Sequence, residues 1–167
     1  MIRIPAQHLI VCATIFAAAL SAADDPGGWT AAKWGMTDAQ ILAALPGQAV
    51  RLDPPEKLNR SSVHIPELDV AGTKFHVYFT PDKDGLLSSV LFSPIGSPAQ
   101  GLDAVFQELQ NLLVDKYGRP WKTDEQGNSE IQWSFPTTVI TLSRIKVSGF
   151  GTQFVHLQYK RKVAVPL

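Results

Sequence analysis

The sequence predicts an α+β fold, a duplicated helix-plus-antiparallel-sheet unit whose helices pack on one face of a continuous antiparallel sheet. Three observations predict it. Helix-like and strand-like segments follow one another in the order helix, strands, helix, strands. Each helical segment closes on a glycine, Gly47 and Gly118. The strand segments alternate apolar and polar residues with a period of two, and short turns separate them.

The chain opens MIRIPAQHLIVCATIFAAALSAADDPGG. Arg3 supplies a positive start, Leu9 to Leu20 are almost wholly apolar, and Ser21-Ala22-Ala23 offers small residues before Asp24-Asp25. This is the pattern of a secretory signal peptide over residues 1–23, and the run is shorter than the roughly 20 apolar residues of a membrane span. Residues 24–167 are then expected to form one α+β domain in two weak repeats, about 29–95 and 96–167, periplasmic or secreted. Cys12, the sole cysteine, lies inside the apolar run behind Val11, which does not suit a lipidation site. The mature domain therefore has neither a disulfide nor a thiolate nucleophile, and no stable membrane anchor after signal cleavage. Basic and acidic residues balance at 15 each, which gives no electrostatic claim on nucleic acid or an anionic membrane. The Lys160-Arg161-Lys162 cluster reads as a solvated strand end.

The first helix is marked at both ends in WGMTDAQILAALPGQ, residues 34–48. Thr37 and Gln40 have the spacing of a capping box, and Met36 and Ile41 that of a hydrophobic staple. Pro46-Gly47 stops the helix. Residues 49–59, with Pro54-Pro55, permit no long element. SSVHIPELDV and GTKFHVYFTP read as strands around an Ala71-Gly72 turn, and LLSSVLFSP returns after Asp82-Lys83-Asp84-Gly85. Ser97-Pro98 is expected to open the second helix as N-cap and first-turn proline. Leu102, Val105, Phe106, Leu109, Leu112 and Leu113 form its apolar stripe. Tyr117-Gly118-Arg119-Pro120 ends it. Strands are expected around Trp121-Lys122, at EIQWSF, at TVITLSRI after Pro136-Thr137, and at QFVHLQYKR, with turns at Gly127-Asn128 and Gly149.

Gly35, Thr37, Gln40 and Gly47 together resemble the G-x-T…Q…G helix start of the small outer-membrane assembly lipoproteins of the SmpA/OmlA type. Those domains look like half of the β-lactamase-inhibitor-protein fold, a tandem of helix-plus-antiparallel-sheet units. The second half, ending its helix in KYGRP, resembles the second unit. The resemblance implies a non-catalytic envelope protein that binds other proteins. It carries over no functional residue, because the shared positions are caps and turns. This chain departs from the lipoproteins in having no suitably placed cysteine.

No residue set reads as catalytic, and no cofactor or metal site is expected. His64, His76 and His156 are the mature chain's histidines, without H-x-H or H-E-x-x-H spacing. They read as exposed sheet residues. Asp82-Lys83-Asp84-Gly85 lacks the further carboxylates of a calcium loop. Gly149-Phe150-Gly151 lacks the third glycine and the following helix of a phosphate cradle. Glu125 and Glu130 merely flank a turn. The four tryptophans, Trp29, Trp34, Trp121 and Trp133, read as core, with Trp34 plugging the end of the first helix against the sheet.

Alternation places Phe75, Val77, Phe79, Ile131, Trp133, Phe135, Val155, Leu157 and Tyr159 toward the helices. The opposite face then carries Lys74, His76, Tyr78, Gln132, Ser134, Phe154, His156 and Gln158. Aromatic rings within a polar, weakly charged surface have the composition of interface anchors. This face is the candidate binding surface for a protein partner whose identity the sequence does not reveal. The alternative is a small secreted enzyme or metal-binding protein using His76 and His156.

Overall fold

A computed structural model describes residues 23–54, 60–98, 101–124, 129–147 and 152–163. The expected signal segment before Ala23, Glu125, Gly127-Asn128 and Gly149-Phe150-Gly151 lie outside them.

The chain starts with a two-stranded ribbon, β1 (Gly28–Trp29) and β2 (Ala32–Lys33), too short for periodicity to reveal. Gly28 holds φ at 147°, and a Cβ there would stand 2.1 Å from the Ala32 carbonyl oxygen. Only glycine fits so close an approach. Helix α1 (Asp38–Ala44) follows, with the expected capping box: the Thr37 side chain accepts from the Gln40 N–H, and the Gln40 side chain accepts from the Thr37 N–H. Ile41 and Leu45 are buried, and Met36 packs against the core's edge.

After the short β3 (Val50–Arg51) come β4 (Val63–Val70), β5 (Thr73–Pro81) and β6 (Leu87–Pro94). Helix α2 (Leu102–Tyr117) leads to β7 (Lys122–Asp124), β8 (Ser129–Ser134), β9 (Thr138–Val147) and β10 (Thr152–Arg161). The eight strands form one sheet in the order β3-β4-β5-β6-β10-β9-β8-β7, each neighbouring pair antiparallel. Each helix is thus followed by a four-strand meander, and the two meanders meet at their last strands. The molecule is a mixed α+β structure built mainly on antiparallel pairing.

Alternation holds across the joint. One cross-strand row runs Val63, Phe79, Val90, Tyr159, Ile140, Trp133, and the next runs Ile65, Val77, Phe92, Leu157, Leu142, Ile131. All twelve are buried and belong to one core cluster with Ile41 of α1 and Phe106 of α2. Both helices therefore cover the same face. A register shift between Ile65 and Leu68 reverses the parity of β4, so that Leu68 and Val70 also turn toward the core.

Several expectations need correction. Helix α2 does not start at Ser97-Pro98. Pro98 accepts from the Gly101 N–H in a turn, and Gly101, at φ 80°, is an N-cap without a side-chain bond. The helix begins where the apolar stripe begins. Its first turn is tied to the sheet instead: Arg144 on β9 pairs with Asp103 at 2.6 Å, bonds Ser129, and lies 5.0 Å from the Phe106 ring centroid. Val105, Phe106, Leu109 and Leu113 are buried, but Leu112 is 44% exposed because it stands on one flank of the stripe, past the sheet's contact. Trp121 is 74% exposed, at the outer edge before β7. The other three tryptophans pack as expected. Trp133 donates to the Gly118 carbonyl, Trp34 donates to Thr138 on β9, and Trp29 stacks edge-on against Phe92.

Asp25 anchors the start of the chain through bonds from the Thr137 N–H and the Thr138 hydroxyl. Burial pushes its carboxyl up, but those bonds and the Gly27 N–H outweigh it and hold the pKa below the usual value. Among the described residues, no helix is long and apolar enough to cross a membrane.

Candidate functional site

The sheet face turned away from the helices carries every candidate residue, because each directly neighbours an inward-facing buried residue on its strand. Two cross-strand rows organise it. The first runs His64, Tyr78, Leu91, Gln158, Thr141, Gln132. In the second, His76 is opposite Ser93, and His156 is opposite Ser143, which faces Glu130. Ser93 also neighbours His156, since Leu157 is opposite Phe92.

The face holds two clusters of rings. On β4 and β5, His64, His76 and Tyr78 have centroids 5.9–6.4 Å apart, with His64 stacked on both neighbours. On β10, Phe154 stacks on His156 at 6.1 Å with the rings 9° from parallel. Strand β6 separates the clusters with the small Ser93 and with Leu91. Beside Phe154 and His156 opens a recess of about 250 Å³, whose lining includes Ser93, Gly96, Ser97 and Leu102.

The histidines are half-buried, not exposed as expected, because neighbouring rings and strands cover their flanks. The Nδ1 atoms of His64, His76 and His156 are buried without a hydrogen-bond partner. Burial lowers the pKa of His64, and the charge of His76 beside it adds to the effect. Burial also lowers that of His156, opposed by a hydrogen bond to the Phe92 backbone. Both effects favour the neutral imidazole at His64 and His156.

The remaining candidates spread outward. Lys74 is exposed and pairs with Glu67 at 2.7 Å. Gln132 donates to Glu130, Ser134 accepts from Lys162, and Gln158 donates to Ser89. Phe154 is 45% exposed, and Ile145 opposite it is 40% exposed. His64 belongs with the ring cluster as well, and its place between the inward Val63 and Ile65 is the sequence signal for it.

His76 and His156 are separated by β6, roughly 10 Å apart at the backbone by strand spacing. Among the described residues, no group of three or more His, Cys, Asp or Glu is placed to hold a metal ion. The Asp82–Gly85 segment is a turn in which the Asp82 carboxylate accepts from the backbone of Asp84 and Leu86. What the face offers chemically is ring stacking, amide and hydroxyl hydrogen bonds and weakly basic nitrogens.

The fold and this face describe an antiparallel α+β protein with an uncovered, ring-bearing sheet surface. No protein-family model and no curated protein sequence matches the chain. Among solved structures it is similar to the crystal structure of a DUF4309 family protein (YjgB) from Bacillus subtilis, at 15% identity and a TM-score of 0.43 over 75% of this chain and 78% of that one.

Proposed function

We propose that this chain is an exported, non-catalytic binding module of the periplasm or extracellular space, and that its open sheet face docks a protein partner. The observation that carries the reading is the pair of ring clusters on a face that neither helix covers, with Phe154 exposed beside a recess. Aromatic anchors next to a concavity, ringed by polar side chains, are what protein interfaces concentrate their affinity in. The resemblance of residues 34–48 to the SmpA/OmlA-type proteins supports the same reading. So does the order helix, four strands, helix, four strands, which a duplicated unit with repeats near 29–95 and 96–167 would produce.

The test begins with capture of partners from the native envelope and proceeds to affinity. Tyr78→Ala with Phe154→Ala should weaken binding of the captured partner by more than about 1 kcal/mol while the thermal transition stays cooperative. Undiminished affinity in the double variant moves the interface off this face. The alternative reading, metal or catalytic use of His76 and His156, draws on their orphaned Nδ1 atoms. Zinc titration by calorimetry decides it: saturable binding lost in His76→Ala and in His156→Ala would favour that reading.

A further inference from the structure

The helix-covered side is not fully covered. Helix α1 has seven residues and reaches the sheet near β4, whereas the sixteen-residue α2 lies over β9 and β10. Between α2 and the far end of β4, away from α1, a crevice of about 140 Å³ stays open. Its floor is Phe92, Leu157 and Tyr159, where the two meanders meet. One wall is Leu109, Leu112 and Leu113 of α2. The other is Leu68 and Val70, turned inward by the register shift in β4.

Nearly all of this lining is apolar. A space of that size lined by such side chains suits an apolar group about as large as benzene. Among the described residues lining it, the one charged residue is Lys116, in the last turn of α2, its ammonium 5.1 Å from the Tyr117 ring centroid. Past Lys116 and Trp29 the surface continues into a more polar recess that Asp24, Asp25 and Lys33 help to line. An apolar slot with one ammonium, Lys116, among its lining residues matches a ligand that joins an alkyl chain to one negative head group.

We propose that this crevice binds a small amphipathic carboxylate, with its alkyl chain between α2 and β4 and its head group at Lys116. The site lies on the opposite side of the sheet from the proposed docking face and does not depend on it.

Octanoate is the probe, with 1-octanol as its uncharged counterpart, titrated into the purified protein by calorimetry. The expected result is saturable one-site binding of both. Lys116→Gln should raise the octanoate dissociation constant by about fivefold or more and leave that of octanol unchanged. Leu112→Trp fills the crevice from its exposed rim and should abolish binding of both ligands while unfolding stays cooperative. Val70→Phe fills it from the opposite wall and serves where the first variant disturbs α2. No saturable octanoate binding up to roughly 10 mM overturns the proposal. Binding that survives both filling variants also overturns it, as does an equal effect of Lys116→Gln on the two ligands. A concentration-dependent dimer that Leu112→Trp dissolves would assign the crevice to a second copy of the chain and overturn it too.

Discussion

Phe106→Ala is expected to be among the most damaging single truncations in α2. The ring is 2% exposed and sits in the core cluster that joins the two meanders. Removing a buried phenylalanine ring costs about 3–5 kcal/mol, the transfer of its atoms plus the cavity they leave. Phe106 also seats the Arg144 guanidinium, whose Nε is buried without a hydrogen-bond partner and whose NH1 holds Asp103. Losing that cation–π contact adds about 0.5–1 kcal/mol. The expected loss is therefore about 3.5–6 kcal/mol, a large share of the roughly 5–15 kcal/mol that stabilises an ordinary domain. Urea unfolding followed by tryptophan fluorescence measures it, since Trp133 is buried and bonded to Gly118 at the end of α2. Phe106→Leu, which keeps part of the buried volume, should cost less than Phe106→Ala and supplies a variant that keeps its native baseline. Leu112→Ala on the same helix, at a residue 44% exposed, should cost less than about 1 kcal/mol. A loss below about 1 kcal/mol for Phe106→Ala, at an unchanged urea slope, would refute the account of how α2 contributes to the core. So would equal losses at residues 106 and 112.

Other expectations follow from the same structure. Asp25 has a folded pKa below its unfolded value, so its contribution is present above the unfolded pKa and fades as pH falls through the folded one. Asp25→Asn should lower the urea midpoint at pH 7 and flatten the acid limb below about pH 4. His64 and His156 also have folded pKa values below their unfolded ones, so stability should decline as pH falls below about 6.5. The double variant His64→Gln, His156→Gln should reduce that slope in thermal melts, and an unchanged slope would remove the histidines as its source. Gly28→Ala should cost more than about 1 kcal/mol, because its Cβ meets the Ala32 carbonyl oxygen at 2.1 Å; equal stability in urea would show that the ribbon can shift. N-terminal sequencing of the exported protein should begin at Asp24, and an intact Met1 in membrane-bound material would indicate a retained anchor.

Much of the candidate face was legible because side-chain direction in a strand depends only on neighbours. Val77 inward forces His76 and Tyr78 outward, whatever the strand pairs with. The same rule applied to Val63 and Ile65 would have added His64. Burial of the imidazoles was not legible. His64 faces Tyr78 across a strand pair, and His76 has β6 on its other side; neither neighbour is near it in sequence. The misplaced start of α2 has a similar cause. Ser97-Pro98 has the local form of a cap, but the helix starts where a tertiary contact, Arg144 to Asp103, anchors its first turn. Leu112 and Trp121 misled because an apolar residue in a periodic segment shows which way it points, not whether anything stands there to meet it.

By itself the sequence determined the alternation of the strands, the Thr37–Gln40 cap, the stop of α2 at Gly118 and the mixed α+β character. Each rests on interactions spanning a few residues, so the local chain specifies it. Only the tertiary structure decided that β6 pairs with β10, that the two meanders share one core, and that two ring clusters flank Ser93. It also decided that a crevice opens between α2 and the end of β4. Strand partners are chosen by burial summed over contacts distant in sequence. Many pairings satisfy the same local pattern, and only the packed whole distinguishes among them.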